Sequence, residues 1–257
     1  MLQDSAKCMI VTGGASGIGR ATVACLLEGG ARVLSVDRDP LLLQRQVDEL
    51  ASERLRTYVA DLRVPEQIAD YSRFALDSFG RIDGAVFNAG ICGVNLPLEQ
   101  YPEAVFDDVL TINLKAVWLG LRAIVPAMKA RRQGSIVLVS SIQGLSALPG
   151  TTAYTTSKHA LVGMMKGAAL ELAPYRVRVN TVHPGYVATP MMDAIHRAVR
   201  PEAPELFEAQ IAASVPMQRY AQPEEVARLL AFLLSDAASY STGGCFTVDG
   251  GLLAALP

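Results

Sequence analysis

Short apolar segments alternate with longer amphipathic segments from one end of this 257-residue chain to the other. Several of the short segments are continuously apolar, as at 136–139, where Ile, Val, Leu and Val follow one another. Such runs are typical of parallel strands that helices cover on both faces. The repeated strand–helix order therefore predicts an α/β fold with a doubly wound (Rossmann) central parallel sheet of about seven strands, flanked by helices.

The alternation also gives approximate bounds. We expect strands near 7–12, 31–37, 55–60, 82–87, 134–140, 177–183 and 244–248, and helices near 17–28, 40–51, 65–79, 101–111, 114–131, 152–173 and 223–235. No linker or repeat divides the chain, so we predict a single domain over residues 1–257. Residues 187–221 interrupt the rhythm. We expect an insertion there that covers a ligand, because open α/β sheets bind ligands beyond the carboxyl ends of their strands.

Composition excludes several classes of protein. The net charge is −2 with both signs scattered, so we expect no nucleic-acid partner and no anionic membrane surface. We find no apolar run of membrane-span length and no secretory signal pattern at the N-terminus. The 4 cysteines and 3 histidines are widely spaced, which argues against a disulfide framework or a metal site and favours a reducing, cytoplasmic location.

The segment 12–19, Thr-Gly-Gly-Ala-Ser-Gly-Ile-Gly, joins the first strand to the first helix. Gly13, Gly17 and Gly19 allow a tight turn and a close approach to a pyrophosphate, and the helix N-terminus adds free N–H groups. We therefore predict that this loop, with Ser16 and Ile18, binds a dinucleotide. The glycine spacing is G-x-x-x-G-x-G rather than G-x-G-x-x-G, and a plain glycine-rich turn is the alternative.

The second strand ends at Asp37, about twenty residues beyond the glycines. A carboxylate there accepts hydrogen bonds from the adenosine ribose and repels a 2′-phosphate, which favours NAD over NADP. Arg38 argues the other way, because its guanidinium could pair with that phosphate. The alternative for Asp37 is a turn residue beside Asp39 and Pro40.

Tyr154 and Lys158 are four residues apart, which places them on one face of a helix. A nearby ammonium favours the phenolate, so we expect Lys158 to lower the pKa of Tyr154 and to make its proton usable near neutrality. Ser141 could bring a hydroxyl to the same point. The three side chains predict a site that passes a proton to or from a carbonyl or alcohol oxygen, and a solvated helix face is the alternative.

Together these residues resemble the short-chain dehydrogenase/reductase family, in its compact subtype, along essentially the whole chain. The glycine loop matches the family's TGxxxGxG motif, and Phe87 replaces the first Asn of its NNAG motif. The resemblance implies that Asp61 and Leu62 contact the adenine and that Lys158 binds the nicotinamide ribose. The other cofactor contacts that it implies are Asn88, Ala89, Gly90, Tyr154, Pro184, Gly185, Val187 and Thr189.

The resemblance also implies the catalytic set. Tyr154 becomes the general acid/base, and Ser141, thirteen residues before it, is preferred to Ser140 as the ligand of the substrate oxygen. Asn113 becomes the anchor of a proton-relay water. The resemblance further implies a homotetramer or homodimer and hydride transfer between NAD(H) and a small secondary alcohol or ketone. The alternatives are an NADPH-dependent ketoreductase of the oxoacyl carrier-protein type, a non-catalytic nucleotide-binding regulator and, on weaker grounds, a sugar-nucleotide epimerase.

The substrate end is expected to be mainly apolar, with Gln143 and Tyr186 as polar contacts beside Ser141 and Tyr154. We expect the lining to come from Cys92, Val94, Asn95, Leu145, Leu148, Met191, Met192, Ile195, Leu206 and Phe207. His196, Arg197 and Arg200 could instead meet a substrate carboxylate, or could form a solvated helix face. We expect His183 to be a packed residue at a strand end rather than a catalytic one.

Overall fold

A single parallel sheet organises the protein. The structure, a computed structural model, describes residues 6–255, and its seven strands pair in the order β3-β2-β1-β4-β5-β6-β7. The predicted doubly wound sheet is confirmed. The strands are β1 (Cys8–Thr12), β2 (Arg32–Asp37), β3 (Leu55–Val59), β4 (Gly84–Phe87), β5 (Gly134–Val139), β6 (Val177–Pro184) and β7 (Cys245–Val248).

Helices connect the strands. They are α1 (Gly17–Glu28), α2 (Pro40–Leu50), α3 (Pro65–Phe79), α4 (Glu103–Leu110), α5 (Ala116–Arg131), α6 (Thr152–Leu172), α7 (Pro190–Val199), α8 (Pro204–Ser214) and α9 (Pro223–Leu234). The expected insertion at 187–221 therefore contains two helices. A π-helical turn, Thr111–Lys115, joins α4 to α5 without a break, although the pattern predicted two separate helices.

The sheet separates two hydrophobic cores. Neighbouring residues of a strand point to opposite faces, so Ile10 packs in one core and Val11 in the other. Helices α3, α5 and α6 cover the first face, and α1 and α9 cover the second. This double cover explains why Ile136 and Val137 of β5, which point to opposite faces, are both fully buried.

The continuous helix Glu103–Arg131 has the length and hydropathy of a membrane span, contrary to our expectation that no segment reaches it. Its buried side chains include Val109, Ile124 and Met128, and the last two belong to the core cluster that covers the sheet. A core helix of a globular fold passes the same test of length and composition. We therefore interpret it as the central core helix.

Phe87, where the family motif has Asn, lies at the end of β4. Its side chain is 3% exposed and belongs to the core under α5. A Cβ atom added to Gly120 of α5 would lie 2.2 Å from a Phe87 ring carbon and 3.1 Å from the Tyr71 hydroxyl. The phenyl ring therefore occupies the space that a side chain at position 120 would need. Packing against α5 thus accommodates Phe87 at the position where the family motif has Asn.

We expect Gly120→Ala to lower the free energy of unfolding by about 1–3 kcal/mol, because the added methyl group overpacks a closed contact. Urea denaturation measures the change. Gly163→Ala is the control, since an added Cβ there meets nothing within 4 Å, and it should be neutral or slightly stabilising. Adding Phe87→Leu should recover part of the Gly120→Ala loss. Equal effects at 120 and 163 would contradict the packing argument.

Candidate active site

The strand order reverses direction between β1 and β4, and this is where open parallel sheets leave a crevice beyond their carboxyl ends. A cleft of about 760 Å³ lies there. The structure brings most of the predicted site residues into its wall, namely Gly13, Ser16, Gly17, Ile18, Asn88, Ala89, Gly90, Ser141, Gln143, Tyr154, Lys158, Pro184, Gly185, Tyr186, Val187 and Thr189. Six others lie outside the lining, namely Gly19, Asp37, Arg38, Asp61, Leu62 and Asn113.

The glycine loop curls tightly against the end of β4. Gly13 has a φ of +63°, and a Cβ atom at Gly19 would lie 1.9 Å from the Gly13 carbonyl oxygen. The Asn88 amide nitrogen donates to that oxygen over 3.2 Å and to the Thr12 carbonyl over 3.1 Å. No side chain caps the N-terminus of α1, so its first N–H groups remain available to an anion. This cradle fits a dinucleotide pyrophosphate.

Asp37 supports the same loop from β2. Its carboxylate accepts a hydrogen bond from the Ala15 main-chain N–H over 3.1 Å and another from the Arg38 N–H over 2.8 Å. Gln46 of α2 reaches the Gly14 carbonyl oxygen over 2.7 Å. Asp37 therefore sets the shape of the loop, and a carboxylate still has lone pairs for ribose hydroxyls.

Asp61 and Leu62 follow β3. The Asp61 carboxylate accepts from the Arg63 N–H over 2.9 Å, and Arg63 pairs with Asp108 of α4 over 2.7 Å. This network ties the loop after β3 to the start of the central helix. Contact of Asp61 and Leu62 with an adenine stays a prediction.

The hydroxyls of Tyr154 and Ser141 meet in the cleft. Tyr154 lies in the first turn of α6, and Ser141 follows the end of β5. The Ser141 hydroxyl lies close enough to the Tyr154 phenol to lower the pKa of Tyr154. The Lys158 ammonium lies 5.4 Å from the centre of the Tyr154 ring and donates to the Val139 carbonyl oxygen over 2.9 Å. Sheet and helix thus converge on one proton-bearing cluster.

The electrostatics differ from our expectation. Burial raises the pKa of Tyr154 well above its ordinary value, the charge of Cys92 in its thiolate form adds to the rise, and the nearby Ser141 hydroxyl opposes it. Burial also lowers the pKa of Lys158 to about 8, although Cys92 opposes that shift. The prediction that Lys158 would lower the pKa of Tyr154 below its ordinary value is wrong for the protein without a bound cofactor. Desolvation disfavours each charged form and outweighs their attraction.

Ser140 and His183 have supporting positions. The Ser140 hydroxyl donates to the Lys158 carbonyl oxygen over 3.0 Å and does not line up with Tyr154, whereas the Ser141 hydroxyl accepts from the Gln143 N–H over 3.2 Å and lies near Tyr154. His183 is fully buried, and its Nδ1 lies 2.8 Å from the Ser141 carbonyl oxygen. Burial lowers the pKa of His183, which favours the neutral ring. His183 therefore packs at a strand end, as expected, and also fixes the main chain of Ser141, a role that the sequence did not indicate.

Asn113 is a brace. It is fully buried in the π-helical turn. Its side-chain oxygen accepts from the Ile91 N–H over 2.8 Å, and its amide nitrogen donates to the Ile91 carbonyl over 2.9 Å and to the Ser157 hydroxyl over 3.1 Å. Both amide protons are therefore used within the protein. The water-anchoring role stays a prediction, and it could involve only the main-chain carbonyl or a remaining lone pair.

The substrate end of the cleft is neutral. Within residues 6–255, Lys158 is the only charged side chain in the lining. Leu145 and Leu206, which we expected there, are absent from it. The three residues considered for contact with a substrate carboxylate, His196, Arg197 and Arg200, are absent from the lining too. The apolar wall comes mainly from Val94, Leu148, Met191, Met192, Ile195, Val199, Phe207 and Ile211.

Gln143 is a fixed polar group in this wall. Its side-chain oxygen accepts from the hydroxyls of Thr151 over 2.7 Å and Thr155 over 2.8 Å. Among the described residues its amide nitrogen has no acceptor, which leaves a donor beside the reactive hydroxyls. Within residues 6–255, no group of three or more His, Cys, Asp or Glu side chains is placed to hold a metal ion.

Comparisons with known proteins agree with this geometry. A family model described as enoyl-(acyl carrier protein) reductase matches residues 13–253. The oxidoreductase UcpA of Escherichia coli K12 is 40% identical over 248 residues, covering 95% of this chain and 94% of UcpA. Levodione reductase of Leifsonia aquatica is 34% identical over 253 residues, covering 97% of this chain and 95% of the reductase.

Solved structures give the same result. The crystal structure of levodione reductase superposes with a TM-score of 0.94 over 97% of this chain and 98% of that one. An NAD⁺-bound xylitol dehydrogenase, 34% identical, gives 0.89 over 97% of this chain and 100% of that one. The chain belongs to the short-chain dehydrogenase/reductase family. Members of this family bind nicotinamide cofactors, act on small molecules and commonly form oligomers.

The burial of Lys158 predicts a pH dependence of stability. Its pKa of about 8 in the fold lies below the ~10.4 of an exposed lysine, so the unfolded chain binds more protons between these values. The free energy of unfolding then rises with pH across that window. We expect the difference between wild type and Lys158→Met to increase by about 1–3 kcal/mol in favour of wild type from pH 7 to pH 10.

Urea denaturation of both proteins at each pH measures this difference, and groups that titrate alike in both cancel. A difference that stays constant with pH would show that Lys158 is not desolvated as the structure indicates.

Proposed function

We propose that this protein is an NAD-dependent oxidoreductase that interconverts small, uncharged secondary alcohols and ketones. The observation that carries the proposal is the convergence of Tyr154 and Ser141 in one cleft beside the buried Lys158. This cluster lies in one cleft between a glycine cradle and an apolar wall. A bound nicotinamide dinucleotide supplies or accepts the hydride. The protein then supplies the proton, the placement and the electrostatics.

Tyr154 is the general acid/base in this proposal. Because burial keeps its phenol protonated near neutrality, the hydroxyl is ready to donate to a ketone oxygen that gains negative charge. In the direction of alcohol oxidation, the phenolate must form first. Lys158 then stabilises that phenolate, since an opposite charge counts most where water is excluded.

Ser141 orients the substrate oxygen. Its hydroxyl and that of Tyr154 both lie in the wall of the cleft, so an oxygen placed between them would meet both groups. His183 holds the Ser141 carbonyl oxygen, and Asn113 holds the main chain at Ile91. With their main chain held in this way, the hydroxyls of Ser141 and Tyr154 are preorganised donors to charge that develops on the substrate oxygen in the transition state.

Asp37 supports NAD as the cofactor. A carboxylate at the end of β2 favours ribose hydroxyls and disfavours a 2′-phosphate. The similarity to an NAD⁺-bound xylitol dehydrogenase agrees with this choice. Arg38 and the carrier-protein description of the matching family model favour the alternative, an NADPH-dependent reductase of carrier-bound acyl groups. Asp37 opposes that alternative by repulsion.

The neutral wall supports the substrate class. A carboxylate or phosphate on the substrate would lose its water without meeting a cation other than Lys158. The names of two relatives, levodione reductase and a cyclohexanol dehydrogenase, also point to uncharged ring compounds. Gln143 offers one donor for a second oxygen atom.

We expect Tyr154→Phe to reduce turnover of a secondary alcohol roughly 10²–10⁴-fold, because only the proton-carrying hydroxyl is removed. A panel of cyclic and open-chain secondary alcohols, followed by NADH absorbance, measures activity. NADH fluorescence titration is the control and should show unchanged affinity. Near-normal turnover by this variant would remove Tyr154 from the chemistry, and a panel without any turnover in wild type would contradict the proposed function.

We expect Asp37→Ser to narrow the preference for NAD over NADP by about tenfold or more, since it removes a charge that repels the 2′-phosphate. The matched variant Arg38→Ala should widen the preference. Values of kcat/KM with both nucleotides give the ratio. A ratio that neither substitution changes would show that cofactor choice is made elsewhere.

A further inference from the structure

Four aromatic rings form a continuous ladder behind the substrate wall. Phe207 of α8 meets the His196 ring edge-on at 5.9 Å between ring centres. His196 meets Tyr220 at 5.7 Å, and Tyr220 stacks on Tyr186 at 5.8 Å. Both ends of the ladder, Phe207 and Tyr186, line the cleft. The ladder therefore connects α7 and α8, called the lid helices below, to the loop that follows β6.

A buried hydrogen bond lies at the centre of this ladder. His196 Nε2 is 2.9 Å from the Tyr220 hydroxyl, and the two residues are 3% and 7% exposed. A polar pair shielded from water strongly favours the geometry that keeps the bond, because each group loses water when it is left unpaired. The ladder is therefore more specific in its geometry than a purely hydrophobic contact.

The lid helices have little other attachment. His196 is the only buried residue of α7, and α8 has none. Segments that bury few side chains open at low free energy. Within the two helices, His196 is therefore the one side chain fully packed against the body of the protein.

His196 itself does not enter the cleft. Ile195 and Val199, on the neighbouring face of α7, line the cleft instead. The orientation of the His196 ring thus sets where the apolar wall lies, although His196 touches no reacting atom. The loop end of the ladder is fixed independently, since the Ala221 N–H donates to the Tyr186 carbonyl over 2.9 Å and the Ala188 N–H to the Ala221 carbonyl over 2.9 Å.

We propose that His196 and Tyr220 form a latch that holds α7 and α8 over the substrate. Both are positioning residues, and this role rests on the proposed function of the cleft. Loss of the hydrogen bond lets the lid helices open more often. The substrate is then held less tightly, while the proton-transfer cluster and the glycine cradle stay unchanged.

The decisive variants remove the bond and keep the rings. We expect Tyr220→Phe and His196→Phe each to raise the KM for a secondary alcohol roughly five- to tenfold, the factor typical of one buried hydrogen bond. We expect kcat to stay within about twofold, and the dissociation constant of NADH likewise. Backbone hydrogen exchange across residues 190–214 should become about tenfold faster.

Three further variants separate the latch from general packing. The double variant His196→Phe with Tyr220→Phe should be no worse than either single variant, because both remove the same bond. His196→Gln keeps a hydrogen-bonding group near the Nε2 position and should recover part of the KM. Arg197→Ala, at the exposed neighbouring position of α7, should match wild type.

The outcomes are separable. A lower melting temperature with unchanged KM and unchanged exchange in 190–214 would reduce the pair to ordinary packing and overturn the latch. If wild type turns over no secondary alcohol, the proposed function fails, and the exchange measurement alone decides. Equal exchange in wild type and Tyr220→Phe then overturns the latch, and faster exchange supports it as a device for whatever ligand the cleft binds.

Discussion

The parallel pairing of β1 with β4 is the constraint on which the site depends. Thr12 of β1 lies opposite Phe87 of β4, so the segments that follow these two strands leave the sheet side by side. The Thr12 hydroxyl accepts from the Asn88 and Ala89 N–H groups over 3.1 and 3.3 Å. This lateral link joins the glycine loop to the segment that faces Lys158. Without it, the nucleotide cradle and the proton-transfer cluster would have no fixed relation to each other.

Water exclusion then decides the chemistry. Burial makes it unfavourable to ionise either Tyr154 or Lys158 alone. The pKa of Tyr154 is therefore raised and the pKa of Lys158 is lowered. A phenolate and an ammonium formed together offset part of that cost, since their attraction is strong at low dielectric. A transition state that spreads charge over Tyr154, Ser141 and the substrate oxygen is stabilised by the same preorganised groups. A cofactor bound alongside would exclude still more water.

The fold could be predicted largely from the sequence, and the reasons are local. Continuous apolar runs such as Ile136 to Val139 can only be buried on both faces, so strand bounds follow within a few residues. The π-helical turn at Thr111–Lys115 could not be predicted, because a shifted main-chain hydrogen bond leaves no trace in side-chain periodicity. The pKa of Tyr154 was mispredicted for a related reason. Spacing along a helix gives proximity to Lys158, but desolvation depends on the whole surrounding fold.

The burial of His196 in the lid helices could not be predicted from the sequence either. His196 stands among charged residues, next to Arg197 and close to Arg200 and Glu202, so its sequence context resembles a solvated face. Its burial depends on Tyr220, twenty-four residues further along the chain. The apolar stripe of α7, which includes Met192, Ile195 and Val199, faces the cleft. Periodicity detects that stripe and does not mark the neighbouring His196 as buried. The burial of His196 therefore depends on a single distant partner, which the residue pattern does not contain and the assembled fold provides.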